Sequence, residues 1–338
     1  MIFEELECLK KFIEEQCKAD YDNILDELVK KNYINNGLVT KKGIKALEDY
    51  KVDNAIILSA GMSSRFSPLS YEIPKGLIKV KGEVLIERQI KQLKEAGINE
   101  IIIVVGYKKE MFYYLKDKFG VEIIENPDYN IRNNHSSLFY ARDWLKNSYI
   151  CSSDNYFTVN VFEKYIYDSF YSSVFANGET KEWCLFTDKN NLIYDVTIGG
   201  KDKWVMLGHA YFSKNFSEKF KEILIKSYKL EEVKSLLWEG LYLKNIKELQ
   251  MYIKKYSDND IFEFDTLDEL RKFDEEYIND TNSKFIQEIS EKLKCKQRDI
   301  ICCEPVYLEN RVIGFTFHLK SKKYAYDYKK KVLISEVE

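Results

Sequence analysis

The run Ile56-Ile57-Leu58-Ser59-Ala60-Gly61-Met62-Ser63-Ser64-Arg65-Phe66 constrains this chain more than any other stretch. Its apolar half suits a buried strand, and it breaks abruptly into small residues followed by a cation. That pattern reads as a strand feeding a loop whose backbone N–H groups can surround phosphates. Lys75, in Ile73-Pro74-Lys75-Gly76, follows ten residues after Arg65. Together the two cations would neutralise a triphosphate.

From Asn54 onward, strands alternate with helices. Ala55 to Leu58 precedes a helix around Leu85 to Ala96, then the strand Glu100 to Gly106 and a further one over Val121 to Ile124. Near-continuous β-branched strands separated by amphipathic helices indicate a mainly parallel sheet covered on both faces. The expected fold is therefore α/β, a Rossmann-like domain over residues 53–278 that binds its ligand beyond the carboxyl ends of the strands.

Two appendages flank this domain. Residues 1–52 place Phe3, Leu6, Leu9, Phe12, Ile13 and Cys17 on one helical stripe and Ile24, Leu25 and Leu28 on a second, before Asn35-Asn36-Gly37, a short Leu-Val-Thr strand and a third helix. The order looks winged-helix-like. Its nine lysines and eleven carboxylates, with no arginine, have the wrong sign for nucleic acid, so a docking or homodimer role is expected. Residues 279–338 carry a helix over Phe285, Ile286, Ile289 and Leu293, then two alternating runs, Arg311 to Leu319 and Lys323 to Tyr328, forming a β-hairpin.

Composition narrows the partners. With 52 Lys+Arg against 55 Asp+Glu the net charge is −3, so no global field draws the chain to nucleic acid or an anionic membrane. No apolar run is long enough to span a bilayer, and the seven cysteines form no CxxC pair. A cytoplasmic protein acting on small molecules is expected, with Cys302 and Cys303 on two faces of one strand.

Three further constellations carry chemistry. In Tyr149-Ile150-Cys151-Ser152-Ser153-Asp154, a carboxylate stands where an apolar strand runs out, suited to a divalent cation that binds phosphate oxygens. Read alone, Asp154 could equally end a strand in a turn. In Glu263-Phe264-Asp265-Thr266-Leu267-Asp268-Glu269, alternation puts Glu263 and Asp265 on one face, and Thr266 with Glu269 forms a capping box that fixes the corner. In Arg132-Asn133-Asn134-His135-Ser136-Ser137-Leu138, amides and hydroxyls open a helix. They either cap it or read the edge of a pyrimidine.

The ordered set A-I-I-L-x-A-G-x-x-S-R, I-P-K-G-L, L-I-E-R-Q-I, V-V-G-Y-K-K-E, N-N-x-x-S-L, S-D-N and E-F-D-T resembles the bacterial CTP:phosphocholine cytidylyltransferases, over about residues 54 to 275. The resemblance implies transfer of a cytidylyl group from CTP to phosphocholine with Mg²⁺, giving CDP-choline and pyrophosphate. It implies Arg65 and Lys75 as catalytic cations, and a nucleotide site of Leu58, Ala60, Gly61, Met62, Ser63, Arg65, Lys75, Gly106, Asn134, Ser137 and Asp154. Asp154 would bind the metal together with Asp265, with Glu263 sharing or replacing the role of Asp265. Ser63 departs from the pattern, which has glycine there.

A trimethylammonium group cannot donate hydrogen bonds and is best held by aromatic faces near a carboxylate. Glu182, Trp183, Tyr211, Trp238 and Glu239 are the candidates for that acceptor site. Alternatives are another acceptor, such as aminoethylphosphonate, phosphoethanolamine or a sugar 1-phosphate, and a ligand-sensing transcription regulator. The C-terminal hairpin resembles the first hairpin of the choline kinase N-lobe, or is an unrelated small β-module. No kinase catalytic loop follows it, and kinase activity is not expected.

Overall fold

A computed structural model describes residues 1–13, 22–309, 311–331 and 333–335. Its central sheet has seven strands: β1 (Asn54–Ser59), β2 (Glu100–Val105), β3 (Glu122–Glu125), β4 (Ser148–Ser152), β5 (Phe170–Thr187), β6 (Ile193–Phe212) and β7 (Tyr252–Lys255). They lie in the order β7-β5-β6-β4-β1-β2-β3. Four of the six neighbouring pairs are parallel, and β6 runs antiparallel to both β4 and β5. The chain builds outward from β1 to β3, then returns to place β4 on the other side of β1. The strand order therefore reverses between β1 and β4, where open sheets leave a crevice at their carboxyl ends.

Alternation along each strand feeds two cores, one on each sheet face. Ala55 and Ile57 pack with Ile101, Ile103, Ile86, Ile90 and Tyr149 on one side. Ile56 packs with Ile102, Val104, Leu138, Phe212 and Trp238 on the other. The helix Leu85–Glu95 covers the first core, and Gly97, at φ +82°, terminates it.

A small antiparallel pair follows β4. Ile261–Glu263 pairs with Asn155–Phe157 so that Glu263 stands opposite Asn155, beside Asp154. Phe66, Leu69, Ile78, Tyr156, Phe264 and Leu267 form a third core beneath this corner, fixing the segment after β1 against it.

At the N-terminal end, Phe3–Ile13 and Asp22–Lys30 precede a hairpin of Ile34–Asn35 with Leu38–Val39, and then the helix Lys41–Leu47 capped by Thr40. The Asn35-Asn36-Gly37 break is thus a two-residue hairpin turn, with Asn36 and Gly37 both at positive φ, and it joins two strands where the sequence suggested one. Cys17 lies outside the described residues. Leu6, Leu9, Leu28 and Leu47 share a core with Tyr165, which lies between β4 and β5, and Lys10 pairs with Glu163 at 2.5 Å. At the other end, Lys284–Leu293 covers a four-stranded antiparallel sheet of Ile300–Leu308, Arg311–Leu319, Lys322–Asp327 and Leu333–Ser335. The expected hairpin is its middle pair. Cys302, at φ +51°, bulges out to solvent while Cys303 is buried.

Candidate active site

The crevice at the reversal point between β1 and β4 holds a cavity of about 380 Å³, a size suited to a small-molecule ligand. The loop after β1 supplies Ser59, Ala60, Gly61, Ser63 and Arg65 to its wall, and the turn after β4 supplies Ser153 and Asp154. Ser63 adopts φ +51°, ψ +51°, so this serine accepts the left-handed conformation that glycine takes freely. Met62 does not reach the cavity wall.

Lys75 is buried at the floor, with Nζ 2.8 Å from Asp154 Oδ2 and 3.6 Å from Asp265 Oδ1. Burial opposes its charge, but Asp154, Glu263 and Asp265 outweigh that and hold its pKa above the usual lysine range. Arg65 Nη1 lies 2.7 Å from Asp265 Oδ2. Asp265 follows the strand end at Glu263 and is fixed by the corner: its N–H and that of Thr266 both donate to Glu269, whose own N–H donates to Thr266 Oγ1. Asp154's negative charge, with burial, pushes Glu263 up to about 8. Three carboxylates thus crowd around one lysine, which leaves room for more positive charge.

Gly76 lets the lysine approach so closely. A Cβ there would fall 2.7 Å from Ser153 Oγ and 2.8 Å from Ser153 Cβ. Gly76→Ala is expected to push the Ser153–Asp154 turn off Lys75, costing about 1–3 kcal/mol of stability and at least about tenfold in kcat, since small displacements at such a site are costly. Thermal unfolding with steady-state kinetics checks both. Wild-type behaviour would show that the turn gives way freely.

On the far wall, Asn126 donates to Ser136 Oγ at 2.8 Å and Ser137 Oγ at 3.1 Å. Ser137 therefore accepts from Asn126 and keeps its own proton to give. Asn134 lines the cavity, and its amide also bonds within the protein. Oδ1 accepts from Trp238 N at 2.7 Å, and Nδ2 donates to Glu239 Oε2 at 3.4 Å. Asn134 thus ties two walls together while keeping one N–H and one oxygen lone pair on the cavity lining.

Trp238 opens the helix Trp238–Lys244 and stacks on Tyr171, with ring centroids 5.6 Å apart and planes at 20°. Tyr171 donates its hydroxyl to Glu239 Oε1 at 3.1 Å. Burial pushes Glu239 up to about 7. The result is a half-buried carboxylate beside two stacked rings, open to the cavity.

Other expected residues fall elsewhere. Tyr211 is buried in the core beneath the opposite sheet face, against Tyr149 and Phe170, because its place in β6 points it away from the cavity. Trp183 lies on the β5–β6 ribbon and packs against the second core rather than the cavity. Glu182, beside it, also misses the wall but stands near the Arg65–Asp265 pair, and burial followed by the charge of Asp265 raises its pKa. Gly106 is absent from the wall because Tyr129 occupies its open side, with ring atoms within 2.8 Å of where a Cβ would be. Tyr129 lines the cavity in its place, as do Tyr171 and Arg132, which the sequence did not single out.

A loop of small residues after a buried strand, a buried lysine between carboxylates and a nucleoside-sized crevice at a strand reversal define a nucleotidyltransferase. The MobA-like NTP transferase domain model matches residues 55–161. The chain is 38% identical over 221 residues to a choline-phosphate cytidylyltransferase of Streptococcus pneumoniae, covering 65% of this chain and 96% of that one. It is 34% identical over 229 residues to a 2-aminoethylphosphonate cytidylyltransferase of Lancefieldella rimae, covering 67% and 93% respectively. A solved structure of CTP:phosphocholine cytidylyltransferase from S. pneumoniae superposes with a TM-score of 0.64 over 66% of this chain and 97% of that chain, at 38% identity. The chain belongs to the choline-phosphate cytidylyltransferase family.

No helix among the described residues is long and apolar enough to cross a membrane. Among them, Cys151, Cys184, Cys295, Cys302 and Cys303 carry thiols outside any disulfide.

Proposed function

We propose that this enzyme transfers the cytidylyl group of CTP to phosphocholine, releasing pyrophosphate and CDP-choline. The carrying observation is the Tyr171–Trp238 stack beside the half-buried Glu239 carboxylate, on the wall of the same cavity as the loop after β1. A quaternary ammonium suits ring faces with one carboxylate, whereas a primary amine requires several hydrogen-bond acceptors.

In this reading a phosphocholine oxygen attacks the α-phosphorus in line, and the bond from that phosphorus to the bridging oxygen of pyrophosphate breaks. The acceptor phosphate is already an anion near neutral pH, so no strong general base is needed. The loop N–H groups hold the triphosphate, Ser137 offers its proton to the base, and Lys75 and Arg65 counter the charge that develops in transfer. Among the described residues no ready-made cluster of three or more metal-ligating side chains is present. Asp154 Oδ1 is nonetheless buried without a hydrogen-bond partner, and oxygen donors on Asp154, Asp265 and Glu263 suit a hard cation. These residues would hold Mg²⁺, which when bound neutralises phosphate charge and organises the triphosphate.

The division into residues 1–52, 53–278 and 279–338, the cytoplasmic setting suited to free thiols, and a docking or homodimer role for the first unit belong to the same reading. Exposed Val29, Leu38 and Ile44 support the last. Pyrophosphate release measured for four nucleoside triphosphates against phosphocholine, phosphoethanolamine, 2-aminoethylphosphonate and glucose 1-phosphate tests the assignment. Turnover is expected with CTP and phosphocholine. Turnover confined to UTP and glucose 1-phosphate would overturn it.

A further inference from the structure

The unit after residue 280 does not sit apart from the site. Its contacts converge on the segment that follows the phosphate loop. Tyr307, on the strand Ile300–Leu308, shares a 2.6 Å hydroxyl hydrogen bond with Ser64, between the cavity-lining Ser63 and Arg65. Tyr71 stacks on Tyr328, with centroids 3.8 Å apart and planes at 15°. Glu72 caps the helix Lys284–Leu293, accepting from Ser283 Oγ at 2.5 Å and Lys284 N at 3.0 Å, where a carboxylate also meets the positive end of the helix dipole.

The same short segment anchors the loop after β2. Lys108 Nζ donates to the carbonyls of Tyr71 at 2.5 Å and Glu72 at 2.7 Å, and Tyr107 N donates to Ala60 O at 2.9 Å. Tyr71 and Glu72 therefore join the C-terminal unit to the loop at Lys108, and Tyr107 in turn ties that loop to Ala60 of the phosphate loop. A loop with a serine in left-handed backbone gains from outside support, since nothing in its own sequence favours that turn.

We infer that the C-terminal unit is a brace that holds the triphosphate-binding loop in its binding geometry, with Tyr307 as a positioning residue acting through Ser64. Tyr307 contributes no reacting group, and its effect falls on nucleotide affinity. The inference rests on the reading of this loop as the triphosphate site.

Calorimetric binding of CTP to the full-length protein, without acceptor, tests it, so a wrong acceptor assignment leaves the readout intact. Tyr307→Phe is expected to weaken CTP binding about 3- to 10-fold, the net worth of one hydrogen bond. Ser64→Ala should do the same, and the double variant should be no weaker than either single one, because both remove one interaction. In turnover, KM for CTP should rise while kcat and KM for phosphocholine stay within about twofold, with an unchanged unfolding temperature. Wild-type CTP affinity in Tyr307→Phe, additive losses in the double variant, or a parallel loss of both substrates with a lowered unfolding temperature would each overturn the inference.

Discussion

Asp154→Asn is expected to lower kcat/KM by about 10²- to 10³-fold, roughly 3–4 kcal/mol of barrier, while leaving the fold in place. Asn keeps the volume and an oxygen for Lys75, and Asp265 remains 3.6 Å from the same ammonium. What is lost is the negative charge that both fixes Lys75 and offers the partnerless Oδ1 to a cation. Burial raises the Asp154 pKa and Lys75 more than compensates, so the carboxylate stays ionised in the working range. Asp154→Ala is a different experiment. It strips the closest partner from a buried ammonium, and breaking such a pair costs about 3–5 kcal/mol of stability. Steady-state kinetics with thermal unfolding distinguishes the two. An Asn variant keeping more than about a tenth of wild-type activity would remove Asp154 from the reacting centre.

Glu239→Gln is expected to raise KM for phosphocholine about 10- to 100-fold with KM for CTP unchanged, as a charge-assisted contact worth about 1.5–3 kcal/mol disappears. The pH dependence gives the sign independently. Burial pushes the Glu239 carboxyl up to about 7, so it is largely neutral at pH 6 and ionised at pH 8. Affinity for a cationic acceptor should therefore rise with pH across this window. The acceptor phosphate also titrates near 6, so the informative quantity is the difference between wild type and variant. That difference should shrink below pH 7 and widen above it. The raised pKa has a second consequence of opposite sense: stability contributed by this group is present at low pH and lost between about 4.5 and 7. Glu239→Gln should therefore unfold no earlier than wild type at pH 8. Equal KM values at pH 8 would show that Glu239 does not face the acceptor.

The parts of this site that were legible in the sequence are those encoded locally. A β-branched strand ending in small residues, a cation ten residues on, and a capping box at Thr266 are short-range patterns, and each placed its residues correctly near Lys75. What was not legible depends on partners far along the chain. The backbone partner of Asn134 lies 104 residues away in Trp238, so this tie had no local signal. Tyr171 and Tyr211 are both tyrosines on adjacent strands of the ribbon, and register alone sends one to the cavity and the other to the core. Gly106 was expected in the nucleotide site, but Tyr129 packs over it. The C-terminal strands showed as a hairpin, while their docking on Ser64, Tyr71 and Glu72 had no sequence signal at all.

The claim that ties these observations together is cytidylyl transfer to a quaternary ammonium phosphate. It is tested most directly by competition: the enzyme with CTP and equal concentrations of phosphocholine and 2-aminoethylphosphonate, with products resolved by mass spectrometry. The product ratio reads the ratio of kcat/KM. An aromatic stack with one carboxylate predicts CDP-choline in at least about tenfold excess, a difference of about 1.4 kcal/mol. A product pool dominated by the cytidylyl aminoethylphosphonate would contradict it.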